Sequence, residues 1–152
     1  MNPAEREYGV WVRRAGWTVL LVVVCLAGIS CGSTTKAKAL AENGAAMFHS
    51  QLDTEQYTAI YAGADDKFKN ATSEADLTKL LTAVRTKLGM VHESKLVSWH
   101  VGFYTGTGET VMLVYDTKFA DGAGQEQFSW HIQNGVATLY GYRINSNDLI
   151  SK

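Results

Sequence analysis

The run "FSWHIQNGVATLYGYRI", residues 128–144, decides the fold. Phe128, Trp130 and Ile132 alternate with Gln127, Ser129, His131 and Gln133, the two-residue period of a strand with one buried face. Asn134-Gly135 follows, and a second strand pattern runs from about Val136 to Ile144. An Asn-Gly pair between two such patterns is the strongest short hairpin signal, because the tight turn needs positive φ at both central residues.

The same period extends backwards. Val111, Leu113, Tyr115 and Phe119 alternate with Met112, Val114, Asp116 and Lys118. Val97, Trp99, Val101 and Phe103 alternate with Ser98, His100 and Gly102. "GTGE" (106–109) and "DGAG" (121–124) supply glycine-bearing turns. The second half therefore reads as four antiparallel strands in a meander. "GTGET" joins two strands with no helix behind it, so it is a hairpin turn and not a phosphate loop.

The first half changes period. Leu40, Gly44, Met47, Phe48 and Leu52 recur at helical spacing, with Ala37, Ala41 and Ala45 nearby. Asp53 or Thr54 can cap a second helix, whose face is Tyr57, Ile60, Tyr61, Ala64 and Phe68. "ADDKFKN" then reads as a solvated helix end, because the further oxygens of a calcium loop are missing. Thr72 or Ser73 caps the third helix, with Glu74 and Asp76 in its first turn, a stripe of Leu77, Leu80, Leu81, Val84 and Leu88, and Gly89 as its stop. Three helices followed by four strands predict an α+β fold, with the helices packed on one face of a curved antiparallel sheet.

The bulk numbers fit one domain of 152 residues. A net charge of −1 gives no general pull toward nucleic acid. The two cysteines, Cys25 and Cys31, both precede the domain, so no intramolecular disulfide and no thiolate metal site is expected within it. Arg6, Arg13 and Arg14 lead into an uncharged run from Ala15 to Ser30. A basic segment, a short apolar segment and then small residues is the layout of an export signal. The run is shorter than the ~20 apolar residues of a spanning helix.

"AGISC", residues 27–31, resembles the lipobox of bacterial lipoproteins. That resemblance implies a signal helix over 1–30, cleavage before Cys31, and lipid on the new N-terminal cysteine (palmitate-type acylation included). Cys25 lies inside the apolar run with no small residue before it and fits poorly. The expected order is signal 1–30, tether 31–39 and domain 40–152.

The domain itself, from about Ala37 to Ile144, resembles the cystatin-like or NTF2-like α+β cone. Within it, the chain is similar to small bacterial lipoproteins carrying a domain of unknown function of the DUF4019/DUF3887 type. The residues that carry this are "AAMFHSQLDTEQYTAIYAGADDKFK", "LTKLLTAVRTKLG", "VMLVYDTKF" and "FSWHIQNGVATLYGYRI". The resemblance implies a fold and an envelope location, on the cell membrane or outer membrane with the domain outside the cytoplasm. It carries over no catalytic residue.

Two candidate sites stand out. His100, His131 and Asp116 occupy polar strand positions and can share a face as a base or metal cluster. The plainer reading, which is preferred, makes them solvated sheet residues. No metal site and no cofactor is expected. Trp99, Tyr115, Trp130 and Tyr140, with Phe128 and Tyr142, can line a pocket between sheet and helices or simply fill the core. The expected function is a membrane-tethered, non-enzymatic binding or structural module. Its partners would be the membrane, through the anchor, and an envelope protein or a second copy. The rival is a cone-pocket enzyme of isomerase, dehydratase or hydrolase type with a His or Asp base.

Overall fold

In the computed structural model, residues 31–104 and 108–151 are described. The expected signal, including Cys25, lies outside them. The chain divides into two units, residues 1–35 and 36–152. Of the first, residues 31–35 are described, as helix. Among the described residues no helix is long and apolar enough to cross a membrane.

Helix α1 spans Cys31–Asp53, so the segment expected as a tether is helical backbone. Ala37, Ala41, Ala45, Phe48 and Leu52 form its buried stripe at spacings of three and four. The small alanines let α1 approach the sheet, and Phe48 meets Phe128 edge-on at 5.0 Å between ring centroids. A Cβ on Gly44 would stand 2.9 Å from the Trp130 ring, so the absence of a side chain there is what lets the indole lie against the helix. At the other end of α1, Asp53 Oδ1 accepts from the Val91 N–H at 2.9 Å and ties the helix to the start of the sheet.

The second expected helix is two short ones, α2 (Tyr57–Ala62) and α3 (Asp66–Ala71). The break has a tertiary cause. Ala64 pairs in parallel with Leu139 on the last strand, and the Asp65 N–H donates to the Leu139 carbonyl at 2.9 Å. Two residues are thus drawn out of the helix to close the sheet edge. Helix α4 (Glu74–Leu88) is as read: the Ser73 hydroxyl accepts from the Asp76 N–H at 3.1 Å, and Leu77, Leu81, Val84 and Leu88 are buried.

Strands β1 (Val91–Tyr104), β2 (Gly108–Phe119), β3 (Ala123–Gln133) and β4 (Val136–Asn145) form one antiparallel sheet in sequence order, followed by the short α5 (Asn147–Ser151). Asn134 and Gly135 have φ of 52° and 77°, which is the turn their sequence calls for. Val111, Leu113, Tyr115, Thr117 and Phe119 of β2 are buried, as are Glu126, Phe128 and Trp130 of β3. The fold is α+β, with the helices on this face.

Three bulges break the strict alternation among the described residues. Two lie on β1, between Val91 and Glu93 and between Leu96 and Ser98, and the third opposite Ser129–Trp130 on β4. In the third, Ser129 pairs with Gly141 while Trp130 pairs with Leu139, so Tyr140 is the extra residue. Leu139 and Tyr142, three apart, therefore both face the helices. Tyr140 is turned to the opposite face.

Candidate functional site

The polar residues of the sheet fall into an inner group, under the helices, and an outer group on the face that no described helix covers, here called the bare face. The centre of the inner group is Glu126, which has no solvent exposure. His49 Nε2 lies 2.8 Å from its Oε2, the Thr117 hydroxyl donates to the same oxygen at 2.6 Å, and the Tyr142 hydroxyl donates to Oε1 at 2.7 Å. Ser94 Oγ is 3.3 Å from Thr117 Oγ1 and extends the network. Three donors around one carboxylate are what its buried oxygens require.

Two tyrosines register this charge. Burial, then the Glu126 charge and hydrogen bond, push the Tyr142 hydroxyl well above its ordinary value. Burial, then Glu42 and Glu126, push Tyr115 up to about 12.

Sequence reasoning passed over Glu126 and His49. The signal was present: Glu126 has the parity of Phe128 and Trp130, and His49 adjoins Phe48 on the apolar face of α1. An acid and an imidazole on two faces that pack together are expected to meet.

On the bare face, His100, Tyr104, Thr110, Met112, Ser129 and Tyr140 enclose a cavity of about 350 Å³. Cross-strand pairing sets its walls. His100 lies opposite Met112, Met112 opposite Ser129, and the β4 bulge delivers Tyr140 beside them. Tyr104 folds back over Gly102, where a Cβ would stand 2.9 Å from its ring. Gly102 is the partner of Thr110, so the Tyr104 ring lies beside that threonine. Thr110 is only 9% exposed, and its hydroxyl has no hydrogen-bond partner among the described residues.

His131 sits one pair nearer the hairpin tips, opposite Thr110. Its Nδ1 is 2.8 Å from Asp65 Oδ2. Asp65 also caps α3, accepting from the Lys67 N–H at 2.8 Å. Burial pushes the Asp65 carboxyl up, but the bonds from His131 and Lys67 and their charges outweigh it and hold it below its ordinary value. The pair fixes the orientation of the imidazole. A Cβ on Gly108 would lie 3.3 Å from Nε2, so backbone stands at that nitrogen.

The expected cluster of His100, His131 and Asp116 does share this face, but its members have separate partners. His100 lines the cavity, His131 is held by Asp65, and Asp116 accepts from Gln125 Nε2 at 3.1 Å. Asp116 and the partner of His100 are four residues apart on β2, about 13 Å along the strand. Asp116 lines a separate, wider groove with Glu93, Lys95, Lys118 and Asp148. Lys118 and Glu93 form a 2.8 Å ion pair there.

The aromatic candidates also divide. Tyr115 and Trp130 are buried under the helices, and Tyr140 lines the bare-face cavity. Trp99, 45% exposed, lies at the β1 edge with the Lys38 ammonium 5.7 Å from its ring centroid. Among the described residues no group of three or more His, Cys, Asp or Glu can hold a metal ion.

No curated protein matches the chain. The family model described as protein of unknown function (DUF4019) matches residues 44–142. That span runs from the glycine under the Trp130 ring to the tyrosine on Glu126. It covers well over half of the sequence, and the chain belongs to this family.

Proposed function

We propose that the protein is an exported, lipid-anchored binding module without catalytic activity, held through Cys31 and presenting the bare face of its sheet to an envelope ligand. The observation that carries the binding half is the contrast between the faces. Glu126, His49, Thr117 and Tyr142 under the helices are committed to one another, whereas the bare-face cavity is walled by side chains with unused hydrogen-bonding capacity. The separation of His100, His131 and Asp116 supports a non-catalytic reading, since a base mechanism needs its groups within hydrogen-bond reach of one reacting atom. The anchor half is supported by "AGISC" after an uncharged run. A tether also gives a weak binder a high effective concentration near its target.

The test is the mass of the mature N-terminus together with crosslinking in cells. The reading expects a lipid-modified Cys31 and capture of an envelope component through bare-face positions such as Ser129. An unmodified terminus at another residue contradicts the anchor. Capture only through helix-side positions contradicts the choice of face.

A second reading is self-association along the β1 edge, favoured by the exposure of Trp99 and Phe103, 45% and 74%. Sedimentation at rising concentration separates it from the first.

A further inference from the structure

Five of the six residues around the bare-face cavity, His100, Tyr104, Thr110, Ser129 and Tyr140, carry a side-chain donor or acceptor. None of these groups forms a hydrogen bond with another described residue. Thr110 is the sharpest case, because its hydroxyl is buried as well as unpaired. Such groups are rare in a folded interior, and each calls for an explanation.

The chemistry of the walls narrows what fits. Among the described residues no Lys, Arg, Asp or Glu lines the cavity. A phosphate or carboxylate would find no Lys or Arg, only the His100 imidazole, and a hard cation would find no carboxylate among these residues. A bare hydrocarbon would strip water from five polar groups and replace none of their bonds. What remains is a neutral molecule with polar groups around a compact body. Hydroxyls of Tyr, Thr and Ser both donate and accept, which matches a ligand whose own groups are hydroxyls. The Tyr104 and Tyr140 rings offer apolar surface for the C–H face of such a ring. A volume of about 350 Å³ is at the small end of ligand sites, which run from about 300 to 1,000 Å³.

The walls are also built by specific backbone features. The β4 bulge places Tyr140 on this face, and Gly102 leaves the space that the Tyr104 ring fills. We infer that the cavity is a saccharide subsite, taking one or two neutral sugar rings against Tyr104 and Tyr140, with His100 and Ser129 bonding to the ring hydroxyls. This rests on the binding-module reading and is independent of the lipid anchor.

The experiment is a titration of the ¹⁵N-labelled full chain in a zwitterionic, sugar-free detergent. The probes are glucose, N-acetylglucosamine and its β1,4-linked dimer, with glucose 6-phosphate and indole as comparisons. The expected result is saturable amide shifts at residues 100–104, 110–112, 129 and 140 with at least one neutral sugar at about millimolar concentration. Added phosphate should bring no gain. Tyr140→Ala should weaken binding about tenfold or more. Tyr140→Phe and Ser129→Ala, which keep the shape of the wall, should weaken it less at an unchanged unfolding midpoint, and they serve if Tyr140→Ala does not fold. No shift with any sugar, a response to indole alone, or tighter binding of glucose 6-phosphate overturns the inference. A protein captured at the bare face without any sugar response overturns it while leaving the module reading in place.

Discussion

Under the helices, Glu126, His49, Thr117 and Tyr142 direct their polar atoms at one another; on the bare face, His100, Tyr104, Ser129 and Tyr140 line a cavity and bond to no described residue. Both groups are strand or helix residues of similar chemistry. The difference lies in water access. A carboxylate with no exposure must carry its own donors, because an unpaired buried charge is among the most costly features a fold can hold. A hydroxyl on a bare sheet face has solvent as a default partner and can exchange it for a ligand at little expense. The inner group therefore belongs to stability, and the outer group is the one we propose for recognition.

That division breaks most visibly at Glu126. Glu126→Ala removes the acceptor of three buried donors and leaves a cavity, so it should cost about 3–5 kcal/mol in denaturant unfolding. A loss no larger than that of a surface substitution would end the distinction between the faces. Gly44→Val, with its Cβ placed 2.9 Å from the Trp130 ring, should cost about 1–3 kcal/mol by overpacking. The unfolding midpoint reads it, and Trp130 fluorescence reports the displaced ring.

The tyrosines sharpen the contrast at high pH. Tyr115 is neutral in the folded state up to about 12, against an ordinary 10.0. Raised in the fold, it contributes stability that is complete below pH 10 and is lost as pH rises through 12, because the unfolded chain releases the proton first. Tyr115→Phe should flatten the fall between pH 10 and 12 in alkaline unfolding curves. An unchanged slope contradicts it.

Asp65 gives a smaller effect of opposite sign. Its carboxyl lies below the ordinary 3.8, so its contribution is present above that value and lost as pH falls through the folded one. Asp65→Asn keeps the helix cap and should destabilise modestly at neutral pH, with the gap to the parent closing in acid. At the bottom of the scale, Ser129→Ala should move stability by no more than about 0.5 kcal/mol, while changing whatever the bare face binds.

The parts of the molecule legible in the sequence were those governed by short-range rules. The Asn134-Gly135 turn, the Ser73 cap and the stripe from Leu77 to Leu88 each follow from residues within one turn of each other. The cavity was not legible, because it depends on a bulge. Strict alternation puts Tyr140 and Tyr142 on one face, but the extra residue on β4 sends Tyr140 outward and Tyr142 to Glu126. Asp65 read as a solvated helix end, since nothing local says that Leu139, far along the chain, will take its N–H and His131 its carboxylate.

The sequence by itself determined the order of helices and strands, the hairpin turn at Asn134-Gly135 and the apolar faces of α4, β2 and β3, because period and turn chemistry are local properties of the chain. Only the tertiary structure decided which polar groups are satisfied and which are left unpaired, because that depends on contacts between residues such as His49 and Glu126, whose distance along the chain no periodicity encodes.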